Sequence, residues 1–309
     1  MAAPTEQPAS SVALEQYVSK ENLLALMQMA RREDMGPDGL DLASAAMIPA
    51  NATGQAALRS RVGGRLAGAA LLPSILSAYS ADMRVDAMLA DGAELRAGDS
   101  IALIHGPLNG ILAVERVALN FLSHLCGIAT LTNQYVQRVR GTRARICDTR
   151  KTIPGLRALQ KYATACGGAQ NHRMGLHDAA LIKDNHLSGV RADRLAATVG
   201  QAVRQLRRGR PAPAFVEVEV DHLDQLNAVL TTGVDMVLLD NMDLHALERA
   251  VAIRNEAAPD VLLEASGGIT LENVRDVAQT GVDRISVGAI THSAPAIDLT
   301  LEVAVSSEK

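Results

Sequence analysis

From Ala144 onward the chain repeats one pattern, a short apolar run followed by an amphipathic stretch. The apolar runs are ARICDT, AALIK, AFVEVEV, DMVLLD, VLLEAS and RISVG. Between the later ones lie LDQLNAVLT, DLHALERAVAIRNE and LENVRDVAQ, each of helical period. This alternation forces parallel strands joined by right-handed crossovers. An open sheet covered by helices on both faces reads as almost wholly apolar. VEVEV does not, because Val216, Val218 and Val220 share one face while Glu217 and Glu219 share the other. The pattern therefore predicts a sheet curled toward a barrel, with valines against outer helices and glutamates inside. Asp221, Asp243 and Thr270 are expected N-caps, and Gly233 and Gly281 expected helix stops.

In either form of sheet, ligands gather at the C-terminal ends of the strands. Those ends carry Thr149, Arg150 and Lys151; Lys183 followed by Asp184, Asn185 and His186; Glu217 and Glu219; Asp240 and Asn241; Glu264 with Ser266, Gly267 and Gly268; and Gly288 with Ala289. The NHRMG loop adds His172 and Arg173. One side is cationic, one acidic and one rich in glycine. Glycine at the last two strand ends suits a phosphate cradle, since backbone N–H groups reach an anion only where no side chain intervenes. If strand alternation persists through DTRKT, Arg150 and Lys151 point apart and meet different anions. His172, among cations, is an expected ligand contact. His105, His124, His222 and His245 have no such company and are expected to be structural or superficial. No compact metal-ligand cluster is visible, although acidic groups on separate strands can hold a Mg²⁺ carried by substrate phosphates.

Before Ala144 the pattern is mixed. Residues 13–32 are predicted to form a helix. AALRSRV, RLAGAA and SIALIHG read as short strands, and LAVERVALNFLSHLCGIATLTNQYVQRV as one long helix or two bent near Gly127. A net charge of −4, 2% aromatic residues and no Trp argue against nucleic-acid or anionic-membrane binding. Cys126, Cys147 and Cys166 are too scattered for a disulfide framework or a zinc site and fit a reducing compartment. No run is expected to span a bilayer. The opening MAAPTEQPASS lacks the pattern of a signal peptide. A cytoplasmic protein with a loose N-terminal tip is expected.

DTRKTIPGLRALQKYATACGGAQNHRMGLHDAALIKDNH resembles the signature region of the quinolinate phosphoribosyltransferase family. The similarity extends through REDMG, ERVALNFLSHLCGIAT, VEVEV, LLDN, EASGGIT and VGAITHSAPAIDLTLE, covering the chain after residue 12. It implies a type II phosphoribosyltransferase: an N-terminal open α/β sandwich (residues 1–118, completed by about 294–309) and an incomplete seven-stranded α/β barrel (119–293). It also implies transfer of phosphoribosyl from phosphoribosyl pyrophosphate to quinolinate with decarboxylation, Mg²⁺ as cofactor, and a homodimer.

By that resemblance Arg150, His172, Arg173 and Lys183 cradle the two quinolinate carboxylates, with Thr149 beside them. Arg116 reaches across the dimer interface into the neighbouring site. Lys151 lies near pyrophosphate and ribose, and Glu219 and Asp240 serve the ribose and the metal. Ser266, Gly267, Gly268, Gly288 and Ala289 form the 5′-phosphate loops. Two departures are visible: Ala169 stands where a third glycine is usual, and GLDLAS replaces a GDLTS-like text, so residues 38–44 carry no inherited role. The residues alone leave open a Schiff-base lyase using Lys183, which needs an apolar site, and a non-catalytic oxyanion binder. A nicotinate phosphoribosyltransferase is the rival within the fold, and the cations in NHR and LIKDNH argue for a substrate with two carboxylates.

Overall fold

The structure, a computed structural model, describes residues 12–305; the expected N-terminal tip lies outside them. Its strands are β1 Thr53–Ser60, β2 Gly64–Arg65, β3 Arg84–Met88, β4 Glu94–Leu95, β5 Ser100–Pro107, β6 Arg145–Cys147, β7 Ala180–Ile182, β8 Val216–Val220, β9 Met236–Asp240, β10 Leu262–Ser266, β11 Arg284–Ser286 and β12 Leu299–Val305. Two compact units divide the chain. The first takes the described residues up to 133, residues 158–168 and those from 294; the second takes 134–157 and 169–293.

In the first unit β12, β1, β5 and β3 form an antiparallel sheet in that order, with β2 and β4 as a separate pair. Ala56, Leu58 and Ser60 of β1 are buried at every second position, and β12 returns to lay Leu301 opposite Leu58. The helix expected over 13–32 splits into a short turn, Leu14–Gln16, and a helix, Lys20–Met35. Ser19 causes the break, because its side chain accepts the Asn22 N–H as an N-cap. RLAGAA is not a strand beyond Arg65: Gly68, at φ +100°, turns the chain into the 3₁₀ turn Ala69–Leu71 and the helix Leu72–Tyr79.

The long helix is single, Leu108–Arg138, and the expected domain boundary at 118 and 119 falls inside it. A Cβ on Gly127 would stand 2.1 Å from the Pro295 carbonyl oxygen, so glycine there serves close approach of backbone. This helix is long and apolar enough, by length and composition, to cross a membrane, contrary to the expectation that no run was. Its Ile111, Val114, Ala118, Leu122, Leu125 and Ile128 are buried within the protein.

In the second unit the six expected apolar runs become one parallel sheet, ordered β6-β11-β10-β9-β8-β7. The seventh strand expected is a single parallel bridge between Gln170 and Cys147. Its ladder stops because the Asp148 carboxylate accepts the His172 N–H at 2.8 Å and the Asn171 amide at 2.7 Å. The ring is therefore incomplete, open between the Gln170 segment and β7. Val216, Val218, Val220, Val237, Leu239, Leu263 and Ile285 are buried.

Asp243 caps the helix Leu244–Ala257 as expected, accepting the Ala246 N–H. Asp221 does not cap Leu223–Leu230, whose N-cap is His222; Gln225 accepts the N–H groups of both residues. Thr270 lies one turn before Val274–Gln279 and exchanges hydrogen bonds with its N-cap, Asn273. Gly233 and Gly281 take positive φ just past helix ends.

Candidate active site

A cavity of about 790 Å³ opens at the C-terminal ends of the parallel strands, a size suited to small-molecule substrates. Thr149, Arg150, Lys151, His172, Arg173, Lys183, Glu219, Asp240, Ser266, Gly267, Gly268, Gly288 and Ala289 all line it. Arg116 does not; it lies exposed on Leu108–Arg138 in the first unit.

Strand alternation does not separate Arg150 from Lys151, because β6 ends at Cys147. A tight turn does so instead. The Thr149 hydroxyl accepts the Lys151 N–H at 3.0 Å, and the Arg150 carbonyl accepts the Thr152 N–H at 2.9 Å. Lys151 is left exposed. Arg150 is half-buried, and its enclosed Nε has no hydrogen-bond partner among the described residues. Arg173 is buried, and one of its nitrogens donates to the Ala179 carbonyl at 3.3 Å. Burial, and then the charge of Arg150, pull the Arg173 pKa below its ordinary value. Glu217 and Asp178 offset part of that shift, and the unpartnered Arg150 Nε leaves a cationic donor at the cavity wall for an anion.

Lys183 donates to Glu219 at 2.5 Å, and its side chain is 45% exposed. A wet, paired ammonium is not the desolvated lysine that Schiff-base chemistry needs. On the acidic side, Glu219 of β8 and Asp240 of β9 occupy adjacent strand ends. Asp240 accepts from Asn241 at 2.7 Å through one oxygen. The second oxygens of Glu219 and Asp240 make no hydrogen bond among the described residues, and this hard-oxygen donor pair suits Mg²⁺.

The glycine side depends on the absence of Cβ. Gly267 has φ +96°, and a Cβ there would meet the Asn241 side-chain oxygen at 2.1 Å. At Gly288 a Cβ would stand 3.0 Å from Lys151 Cδ and 3.1 Å from His292 Nε2. Asn241, expected at a strand end but given no role, and His292, not among the expected site residues, also line the cavity. Asn241 holds φ +53°, uncommon without glycine, with its N–H bonded to the Ser266 carbonyl at 2.9 Å. The sequence signal for both was position: Asn241 follows the β9 carboxylate, and His292 lies one helical turn past Gly288.

His172 reaches further inward than a simple ligand contact. Its Nε2 lies 2.7 Å from Glu217 and 3.6 Å from Glu264, while Arg284 donates to Glu264 at 2.8 Å. Burial opposes charge on His172, but the hydrogen bond to Glu217 and the charges of Glu264 and Glu217 outweigh it and raise its pKa. Burial, then the Glu217 charge, push Glu264 up to about 7. The expectation of no compact ligand cluster is thus corrected, for donor atoms of His172, Glu217 and Glu264 lie within 4.8 Å of one another. Two strands, β8 and β10, and the loop after the Gln170 bridge bring them together, which spacing along the chain does not reveal. Arg284 already supplies positive charge at Glu264, so the cluster reads as an ion-pair network.

The histidines expected to be structural or superficial are so: His105 pairs with Asp86 at 3.1 Å, and His124 bonds Gln160 at 2.9 Å. His222 caps a helix, and His245 is exposed. Asp41, in the segment given no inherited role, caps Leu42–Met47.

Two family models match, "Quinolinate phosphoribosyl transferase, N-terminal domain" over residues 41–126 and "Quinolinate phosphoribosyl transferase, C-terminal domain" over 128–302. A nicotinate-nucleotide pyrophosphorylase [carboxylating] of Mycobacterium leprae is 43% identical over 267 residues, 86% of this chain and 92% of that one. A mitochondrial quinolinate phosphoribosyltransferase [decarboxylating] of Nicotiana glauca is 36% identical over 91% of this chain and 82% of its own. The solved nicotinate-nucleotide pyrophosphorylase of Francisella tularensis superposes with a TM-score of 0.83 at 34% identity, covering 93% of this chain and 98% of that one.

Proposed function

The chain belongs to the quinolinate phosphoribosyltransferase family, and from that premise we infer which of its side chains carry each part of the reaction. The enzyme transfers phosphoribosyl from phosphoribosyl pyrophosphate to quinolinate with decarboxylation. The products are nicotinate mononucleotide, pyrophosphate and CO₂, in NAD biosynthesis.

Arg150, His172, Arg173 and Lys183 bind the two carboxylates, with Thr149 setting the turn that presents Arg150. The convergence of these four side chains on one cavity, with the enclosed Arg150 Nε unpartnered among the described residues, carries this reading, since a bound dianion supplies the missing acceptor. Guanidinium groups present paired donors to carboxylates. Nicotinate, with one carboxylate, would leave positive charge unmatched. Ser266, Gly267, Gly268, Gly288 and Ala289 take the 5′-phosphate on exposed backbone. Glu219 and Asp240 hold the ribose and stabilise positive charge developing at its anomeric carbon. Lys151, exposed beside Gly288, stabilises the departing pyrophosphate. Glu219 and Asp240 would also hold Mg²⁺, which when bound neutralises pyrophosphate charge. After transfer the pyridinium nitrogen accepts the electrons released by the departing CO₂. The chain's own part is to hold the ring in place.

Arg116, exposed and outside the lining of this cavity, completes the site of a second copy in a homodimer. Nucleic acid and membrane play no part. Free, buried cysteines fit the reducing cytoplasm. The test is incubation with phosphoribosyl pyrophosphate, Mg²⁺ and carboxyl-labelled quinolinate. Labelled CO₂ with nicotinate mononucleotide is expected, whereas use of nicotinate without quinolinate overturns the reading.

A further inference from the structure

Beneath the cation cradle lies charge that the reaction, as assigned above, does not use. Glu217 of β8 and Glu264 of β10 are 0% exposed, and the His172 side chain is 7% exposed. Arg284 of β11 completes the group, and the Phe215 ring stands edge-on to His172 at 5.4 Å. The charged groups facing the imidazole are Glu217, Glu264 and Arg284. On its own segment Arg173 adjoins it, and Asp148 holds its backbone N–H.

Glu264, paired with Arg284 and raised to about 7 by burial and the Glu217 charge, carries a proton at lower pH, so the carboxylate that faces the ring most directly is Glu217. Donor chemistry fixes the state of the ring. An ionised carboxylate only accepts, so Glu217 at 2.7 Å requires a proton on Nε2. In a neutral ring Nδ1 is then a bare acceptor, which repels a substrate carboxylate. Only the doubly protonated ring bonds Glu217 and also donates to a ligand.

We propose that Glu217, backed by Glu264 and Arg284, is a positioning residue that holds His172 as an imidazolium, leaving its Nδ1–H to read a substrate carboxylate. The pKa of His172, raised by Glu217 and Glu264, agrees with this. The proposal rests on the assignment of His172 to quinolinate, so its test reads the ring separately from the substrate.

The first measurement is a pH titration of the full chain labelled with ¹⁵N-histidine. Both ring nitrogens of His172 are expected to carry protons at pH 7, with deprotonation above the ordinary histidine value of about 6.5. The quinolinate KM then rises as pH passes that point, and the KM for phosphoribosyl pyrophosphate does not follow. Glu217→Gln keeps the shape but removes the charge. It should move the His172 titration and the KM limb to lower pH and raise the quinolinate KM about tenfold or more at neutral pH. The saturated rate should change less. Glu217→Asp, which restores the charge, should recover part of the KM.

A His172 ring that is neutral at pH 7 in the unaltered protein overturns the proposal, whatever the variants do. So does a titration unmoved by Glu217→Gln. A moved titration with an unchanged quinolinate KM supports the hold on the ring and refutes the assignment of His172 to quinolinate.

Discussion

Arg150→Met separates a functional cation from a structural one, because the two roles predict opposite effects on the fold. In the free protein Arg150 makes no ion pair among the described residues, its Nε is unpartnered, and its charge disfavours that of Arg173. Removing it deletes a repulsion and an unsatisfied donor while the methionine keeps much of the aliphatic stem. The unfolding midpoint should stay within about 2 °C of the parent or rise, since surface-like changes without a lost partner fall within roughly 0.5 kcal/mol. Quinolinate binding should suffer, because a bond to a charged group contributes about 1.5–3 kcal/mol. Upper-end loss corresponds to a roughly 150-fold rise in quinolinate KM. The assay pairs thermal unfolding with steady-state kinetics in each substrate. A midpoint lowered by many degrees would make Arg150 a structural ion. An unchanged quinolinate KM, or an equal rise for phosphoribosyl pyrophosphate, would refute its place in the carboxylate cradle.

Lys151→Ala should lower kcat far more than it weakens quinolinate binding, because the exposed ammonium acts on leaving charge; a near-normal rate would remove that role. Gly267→Ala must fit a Cβ 2.1 Å from Asn241 at φ +96°. It should raise the KM for phosphoribosyl pyrophosphate strongly while quinolinate, measured by direct binding, still binds. Arg116→Ala mixed with Lys151→Ala should regain part of the activity in heterodimers, and proven heterodimers without recovery would count against action in trans. Glu264, raised from 4.5 to about 7, keeps a proton in the folded protein that the unfolded chain has released. That contribution to stability is present at low pH and is lost as pH rises from 4.5 through about 7. Urea unfolding across this window should show a smaller decline in Glu264→Gln than in the parent. The lowered carboxylates Asp41 and Asp178 lose their contribution only as pH falls through values below 3.8.

Much of this protein was determined by its sequence alone. Period-two and period-3.6 patterns located the six parallel strands and the helices after them, because burial of one face imposes those periods locally. Following each strand to its end brought most of the strand-end groups to one cavity, since parallel strands share a common C-terminal edge, although Asp184, Asn185, His186 and Glu217 do not line it. The tertiary structure decided what depends on pairing between distant segments. Asp148 took over the backbone of the incipient seventh strand, and a turn, not the strand pleat, separated Arg150 from Lys151. His172, Glu217, Glu264 and Arg284 look like scattered charges in a list of residues. They become one network only because the parallel sheet holds β8, β10 and β11 with inward faces aligned and the loop after Gln170 lays His172 against them. Periodicity reports which face of an element is buried, whereas the charge state of a buried ring depends on what the facing elements bring to it.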